Sequence, residues 1–381
     1  MSSPSIAFGE VASFLSGFAW SAPKFNSDGT GIPVIRIQNV STSDSSFLYW
    51  NEAFDERFVI REGDMLLTLS GSFRATVWDG PNALLNQRIV KIVPSSRINR
   101  RYLLHYLSMK LGDIERMGRH ALVNNVSLAD LKAMPVPLPP LEEQRRIAAI
   151  LDQAEELRVK RRATIALLDQ LPQAIFLEMF GDPAANPKGL ATALLGDLCI
   201  RITDGTHQPP MFADSGHPFL FVRNIVTGEI NFDTEKFISD ETHEELTRRC
   251  PIEQGDVIYS TVGSYGVPAV VRTTKKFAFQ RHIAHLKPKR DKLLPEFLSG
   301  MLASPPVRRQ ADGFARGVAQ KTINLADIRR YLVFAPPIEM QQHFADRVET
   351  IHRAKAAHQS ALAELDALFV SLQAEAFERR L

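Results

Sequence analysis

Three features of the sequence point to an α+β fold in which two tandem, similar α/β domains are separated by two long helices. The helices are expected to pair as an antiparallel coiled coil with pseudo-two-fold symmetry. First, the 381-residue chain repeats itself at a nearly constant spacing. Second, each copy opens with short β-like runs broken by Gly, Pro, Asn and Asp. Third, each copy closes with a long Gly-poor stretch bearing a heptad pattern. A chain of this length exceeds one ordinary core, for which about 150 residues is a soft guide.

The repeat is clearest at two Pro-rich junctions. Pro139-Pro140-Leu141-Glu142-Glu143-Gln144 matches Pro336-Pro337-Ile338-Glu339-Met340-Gln341 at a shift of 197. At that shift Leu128-Ala129-Asp130-Leu131 falls on Leu325-Ala326-Asp327-Ile328, and Leu168-Asp169-Gln170-Leu171 on Leu365-Asp366-Ala367-Leu368. Upstream, Gly63-Asp64-Met65 and Gly71-Ser72-Phe73 match Gly255-Asp256-Val257 and Gly263-Ser264-Tyr265 at a shift of 192, and Gln87-Arg88 matches Gln280-Arg281 at 193. Pro33 to Asn39 resembles Pro218 to Asn224. A drifting offset means loops of different length inside a duplicated unit.

In chain order, residues 1–138 form the first domain, with strands expected at 33–40, 64–69 and 88–93 and a helix at 101–111. Residues 139–180 form a long helix, stopped by the Gly- and Pro-rich linker 181–192. The second domain, 193–335, has strands expected at 219–224, 256–261 and 283–287 and a helix at 295–302. Residues 336–381 form the second long helix.

In the first helix the seam series is Ile147, Ile150, Ala154, Leu157, Arg161, Thr164, Leu168, Leu171 and Ile175, apolar at seven of nine positions. Adding 197 gives Phe344, Arg347, Ile351, Ala354, His358, Ala361, Leu365, Leu368 and Leu372, again seven of nine. The polar midpoints Arg161 and His358 are expected to face each other and fix register. The alternative is two independent amphipathic helices, one per domain. Pro172 is expected to kink the first helix. Forty residues at 1.5 Å each make a rod of about 60 Å. Two like domains on such a rod could reach DNA half-sites about one helical turn, roughly 34 Å, apart.

The composition is ordinary, with 45% hydrophobic and 23% charged residues, which excludes a disordered or supercharged chain. The net charge of +2 means that any nucleic-acid-binding surface must be local. Two cysteines, Cys199 and Cys250, build no disulfide framework, and Met1-Ser2-Ser3-Pro4 lacks the features of a signal peptide. A reduced, cytoplasmic protein is expected, with no membrane association. No phosphate-binding Gly-rich loop follows a strand. Neither Gln208-Pro209-Pro210-Met211 nor Ser304-Pro305-Pro306-Val307 ends in the aromatic residue that grips a flipped base. His282-x-x-His285 lacks further ligands at metal spacing and reads as structural, and Asp204-Gly205-Thr206-His207 reads as a turn. No catalytic or metal residues are assigned.

The duplicated unit resembles the specificity subunit of type I restriction-modification systems over essentially the whole chain. The resemblance rests on Pro139-Pro140-Leu141-Glu142-Glu143-Gln144-Arg145-Arg146-Ile147, Leu168-Asp169-Gln170-Leu171, and the run Asp204-Gly205-Thr206-His207, Gly216-His217-Pro218-Phe219 and Arg223-Asn224-Ile225. It implies two target-recognition domains, each reading half of a split double-stranded DNA target, and a helical pair that sets the gap. It also implies a chain without catalysis or cofactor of its own. Its partners would be two modification subunits, which methylate adenine with S-adenosylmethionine, and restriction subunits that translocate and cut. The short N-terminus departs from the family and leaves little chain to brace the first domain. Two other readings stay open: a self-sufficient DNA modification enzyme with degenerate motifs, and an architectural coiled-coil adaptor.

Base reading favours Arg, Asn, Gln and Ser, and phosphate positioning favours Lys, Arg and backbone N–H groups. The candidates are therefore the Gly-Ser-aromatic turns (Ser70, Ser72, Arg74; Ser264, Tyr265) and the segments before the following strand (Gln87, Arg88; Gln280, Arg281). Arg36, Arg223 and Asn224 lie in the matched segments further upstream. Arg316 and Lys321 lie in the loop 313–321, whose counterpart is 116–125. Arg145, Arg146 and the run 158–162 either face phosphates or form a solvated helix face.

Overall fold

A computed structural model describes residues 5–41, 45–119, 126–182, 185–317 and 320–379. The chain divides into two compact units, Met1–Arg162 with Ser360–Leu381, and Ala163–Gln359. The division cuts both long helices, so each unit is a globular lobe plus half of each helix.

In the first unit, strands β1 (Ser5–Ala7), β2 (Ala12–Ser16), β3 (Ile32–Val34), β4 (Leu48–Trp50), β5 (Val59–Ile60), β6 (Met65–Thr68), β7 (Ala75–Val77), β8 (Ala83–Leu84), β9 (Ile89–Pro94) and β10 (Pro135–Pro137) form three sheets. An antiparallel sheet has order β2-β9-β6-β7, a mixed sheet has order β4-β3-β8-β5, and β1 pairs with β10. Helices α1 (Ile37–Ser41), α2 (Arg100–Met109), α3 (Leu111–Arg119) and α4 (Leu128–Ala133) precede the long α5 (Leu141–Phe180). Strand β6, Met-Leu-Leu-Thr, is buried throughout, as expected of an uninterrupted apolar run. Met65 and Leu67 pack with Tyr102, Leu103, Ile147 and Leu151 on the helix side. Leu66 packs with Ile35, Trp78 and Leu85 on the other. The antiparallel sheet is thus sandwiched between helices and the mixed sheet.

The second unit repeats this plan with β11 (Thr192–Leu194), α6 (Leu195–Leu198), β12 (Cys199–Asp204), β13 (His217–Leu220), β14 (Phe237–Ile238), α7 (Asp240–Thr247), β15 (Val257–Ser260), β16 (Pro268–Val270), β17 (Ala278–Phe279), β18 (Ile283–Pro288), α8 (Pro295–Ala303), α9 (Pro305–Phe314), α10 (Leu325–Arg329), β19 (Leu332–Phe334) and α11 (Ile338–Ala374). Its sheets are β12-β18-β15-β16, β14-β13-β17 and β11-β19. Both mixed sheets contain one parallel pair, β3 with β8 and β13 with β17. The first unit is braced after all: Ser5–Ala7 pairs with Pro135–Pro137 just as Thr192–Leu194 pairs with Leu332–Phe334.

Two expected strands are shorter than the apolar pattern suggested. Segments 33–40 and 219–224 leave the sheet after Val34 and Leu220 and turn helical. The cause is a buried asparagine at the matched position. Asn39 Oδ1 accepts from the Arg36 N–H at 2.7 Å, and Asn224 Oδ1 accepts from the Phe221 N–H at 2.9 Å. Such local side-chain bonds compete with the ladder.

The long helices also depart from the expected seam. In both, alternate seam positions lie one residue later than the series above. Leu151 and Phe369 are buried, whereas Leu157, Leu171 and Leu368 are 49%, 41% and 51% exposed, and Ile150 is half-buried. Ile147, Phe344 and Ile351 are buried. Leu168, Leu365, Leu372, Arg161 and His358 are half-buried. The shifted positions include Arg158 and Lys355, whose long stems hide while their charges pair. Arg158 Nε lies 2.6 Å from Asp366 with its guanidinium 4.3 Å from the Phe369 ring centre. Lys355 Nζ lies 2.6 Å from Asp169 and 2.7 Å from Glu229. Because Arg158 matches Lys355 and Asp169 matches Asp366 at the 197 shift, one ion pair is the image of the other. The helices pair antiparallel in the second unit: Glu178 meets Arg347 and, earlier in α5, Asp169 meets Lys355, later in α11. Helix α5 continues through Pro172 to Phe180.

Candidate nucleic-acid interface

In each unit, the end of an antiparallel hairpin, β6–β7 in the first and β15–β16 in the second, carries a turn latched by one hydroxyl. Thr68 Oγ1 donates to the Ser72 carbonyl and accepts from the Arg74 N–H, both at 2.8 Å. Ser260 Oγ donates to the Ser264 carbonyl at 2.7 Å and accepts from the Val267 N–H at 2.9 Å. The turn needs a residue in the left-handed region, and Gly71 and Gly263 supply it with φ of +67° and +68°. Ser72 and Ser264 are exposed on these turns. The latching hydroxyls were missed by sequence reasoning. Each sits immediately before the matched turn, so comparison of the two copies could have found it.

A second turn is held against the first. The Leu69 N–H donates to the Arg88 carbonyl at 2.8 Å, and the Thr261 N–H donates to the His282 carbonyl at 2.9 Å. A third segment closes on it: the Gln87 N–H donates to the Phe18 carbonyl, and the Arg281 N–H to the Thr206 carbonyl, both at 2.9 Å. These bonds make Gln87 equivalent to Arg281 and Arg88 to His282, a shift of 194 where the sequence match gave 193. The third segment approaches so closely that a Cβ on Gly17 or Gly205 would lie 2.0 Å from a carbonyl oxygen. Gly205 of the Asp204-Gly205-Thr206-His207 motif makes that close approach possible. Arg88 holds φ of +72°, which is costly outside glycine.

The second unit adds its loop to the same place. The Gly263 N–H donates to the Lys321 carbonyl at 3.0 Å, and Arg316 and Thr322 exchange backbone bonds at 2.9 and 2.8 Å. Ser264, Gln280, Arg281, Arg316 and Lys321 are therefore brought together. Arg281 and Lys321 are exposed, and Arg316 is loosely paired with Asp327 at 3.8 Å. His207 lies 2.9 Å from Asp204 at the edge of this surface. Burial and the neighbouring Arg281 hold His282 below the usual imidazole range, so it is neutral at pH 7. In the first unit, Ser72, Arg74, Gln87 and Arg88 converge, with Arg74 Nη1 donating to the Ser41 carbonyl at 2.6 Å. Residues 120–125 and 318–319 of the expected loops lie outside the described residues.

Other candidates have structural jobs. Asn224 is buried, and its amide also donates to the Asn231 and Asp233 carbonyls at 3.0 Å, leaving nothing for a base. Tyr265 is buried beneath the Arg308 guanidinium, with its hydroxyl donating to Asp312 at 2.8 Å. Ser70 is buried. Arg36 is half-buried and donates to the Ser46 carbonyl at 3.2 Å. Arg223 is exposed over the Phe221 ring. On α5, Arg145 and Arg146 pair with Glu142 and Glu143, Lys160 with Glu156, and Arg158 and Arg162 with Asp366, so their charge is spent within the helices. No cluster of three metal-ligating side chains occurs among the described residues, nor a helix long and apolar enough to cross a membrane.

The chain matches the family described as type I restriction modification DNA specificity domain over residues 6–167 and 219–367. It is 28% identical over 410 residues to the type I restriction enzyme EcoBI specificity subunit of Escherichia coli, spanning 99% of this chain and 85% of that one. It is 24% identical over 388 residues to the EcoKI specificity subunit of E. coli strain K12, spanning 92% and 82%. Among solved structures it is similar to the type I restriction-modification S subunit from M. genitalium, with a TM-score of 0.58 at 12% identity over 99% and 96% of the chains. A chain from a structure describing complex assembly and conformational transition of a type I system gives 0.56 at 19% identity over 98% and 97%.

Proposed function

The chain belongs to the type I restriction-modification DNA specificity family, and from that premise we propose that the latched turns of its two units are the surfaces that read DNA. It is the DNA-recognition subunit of such a system, and the chemistry belongs to the partner subunits. The observation that supports this reading is one arrangement made twice: a Gly-Ser turn, hydroxyl-latched and backed by a turn carrying exposed Gln or Arg. Rigidly held turns suit base reading because side chains must be positioned before contact. Arg88 and Arg281 are suited to guanine, and Gln87 to adenine. Ser72, Ser264, Lys321 and Arg316 suit phosphates. Equivalent positions hold different residues, Gln87 against Arg281 and Arg88 against His282, so each unit reads its own half of a split target.

The partners are two modification subunits, which supply S-adenosylmethionine-dependent adenine methylation, and restriction subunits that translocate and cut. Exposed apolar side chains on the long helices suit docking of the modification subunits: Leu157, Val159, Leu368 and Val370 in one unit, Leu167, Leu171 and Leu177 in the other. The test is methylome sequencing of a host expressing the chain with its modification subunits. A two-part adenine-methylation motif is expected, and Arg281→Ala should relax one part while leaving the other intact. Absence of any two-part motif, or relaxation of both parts together, would end this reading.

A further inference from the structure

Asp64 and Asp256 do the same structural work in the two units. Each carboxylate accepts a backbone N–H three residues upstream, from Arg61 at 2.8 Å and Glu253 at 2.9 Å. Each also meets a basic side chain on the neighbouring strand: Lys91 at 2.7 Å in the first unit, His285 at 2.7 Å in the second. The second unit then adds something the first lacks. Cys250 Sγ lies 3.4 Å from His285 Nδ1, so cysteine, histidine and aspartate stand in line. Asp256 and His285 are buried, while Cys250 is half-exposed. Its thiol borders an open cavity of about 380 Å³ also lined by Arg201, Thr206, Arg248 and Arg249.

We propose that Cys250 is a modification site, a thiol oriented by His285, which serves as its base in attack on hydroperoxides. Asp256 accepts the His285 Nε2–H, which leaves Nδ1 facing the sulfur as the base. In the reaction, Nδ1 takes the thiol proton and the sulfur attacks one peroxide oxygen. An S–O bond forms as the O–O bond breaks. The departing oxygen recovers the proton from His285 and leaves as water or an alcohol. Sulfur is oxidised to the sulfenic acid and the peroxide is reduced. The three arginines around the cavity, partly offset by Asp204 and Glu245, suit a polar peroxide and the oxygenated sulfur. Burial pushes His285 toward its neutral form, but Asp256 and Cys250 outweigh it and its pKa is raised, which makes it a stronger proton acceptor than a free imidazole.

Cys199 is an internal control, being buried, with burial pushing its thiol up to about 12. In the full chain at pH 7, iodoacetamide should alkylate Cys250 about tenfold faster than free glutathione, with Cys199 unlabelled, as read by peptide mass spectrometry. His285→Gln keeps a donor toward Asp256, which also has Lys287 at 3.1 Å. This variant should slow Cys250 about tenfold and abolish its dimedone adduct after peroxide treatment. Parity with glutathione in the unaltered chain would overturn the proposal, whether or not the variant folds. So would an unchanged Cys250 rate in a folded His285→Gln protein. Neither readout involves DNA.

Discussion

Two buried histidines, one in each unit, carry opposite pH signatures. His105 lies on α2 with its ring 2.7 Å from Asp152. Burial is its dominant influence, exceeding the help from Asp152, so its pKa is lowered from 6.5. Below that value the unfolded chain takes up a proton that the folded site resists, so His105's contribution is intact above pH 6.5 and is lost as pH falls. His285, raised above 6.5, behaves the other way: its contribution is intact at lower pH and is lost as pH rises through its folded value. Hydrogen-exchange protection of α2 amides should therefore fall as pH drops below 6.5, while that of β18 falls as pH rises above 6.5. Identical trends in both elements would contradict the assignment. Sequence alone exposed the turn residues of both copies, because Gly-Ser pairs recur at matched positions. It misplaced Asn224 because asparagine serves equally as a base reader and as a local backbone clamp, and only burial distinguishes the two.

Each long helix is anchored to its lobe by one buried glutamine in the Pro-Pro motif. Gln144 Oε1 accepts the Asn99 N–H at 2.7 Å, and its Nε2 donates to the Pro139 and Arg97 carbonyls at 2.8 and 3.2 Å. Gln341 repeats this with the Leu294 N–H at 2.8 Å and the Pro336 and Lys292 carbonyls at 2.9 Å. Both side chains are fully buried. Replacing either by Leu strands three backbone groups, and unsatisfied buried groups cost about 1–3 kcal/mol each before relaxation. Gln144→Leu and Gln341→Leu should each destabilise by roughly 3 kcal/mol, measurable by urea titration of the full chain. Glu142→Leu, two residues away and exposed, should be nearly neutral. The motif announced this joint without revealing its purpose. The heptad count found the helices yet missed alternate seam positions, because Arg158 and Lys355 occupy the seam while Leu157, Leu171 and Leu368 face outward. Apolar counting cannot see a buried stem under a paired charge.

The duplication was plain in the sequence; the cut between units through the middle of both helices was not, because a continuous heptad pattern does not mark where a helix changes lobes. That architecture makes the second lobe separable at a defined place. Its chain enters through Thr192–Leu194 and leaves through Leu332–Phe334, and these strands pair with each other. Gln341 grips only backbone atoms of the lobe, Leu294 N–H and the Lys292 carbonyl, so the anchor does not depend on the lobe's sequence. What must be retained is the apolar contact of α8, where Phe297 meets Phe176, Phe180 and Phe344 at ring separations of 5.6, 4.8 and 6.4 Å. A lobe from another specificity subunit, exchanged for residues 192–334 and keeping an aromatic residue at position 297, should fold and direct methylation of a hybrid motif. The half read by the first unit should be unchanged and the other half new. Cutting at 193–335 instead leaves native Thr192 facing a foreign residue in place of Phe334, and yield should fall. Methylome sequencing reads the first outcome and soluble expression the second. A graft that altered both halves of the motif would mean that recognition is shared between the lobes and not divided as the duplicated turns imply.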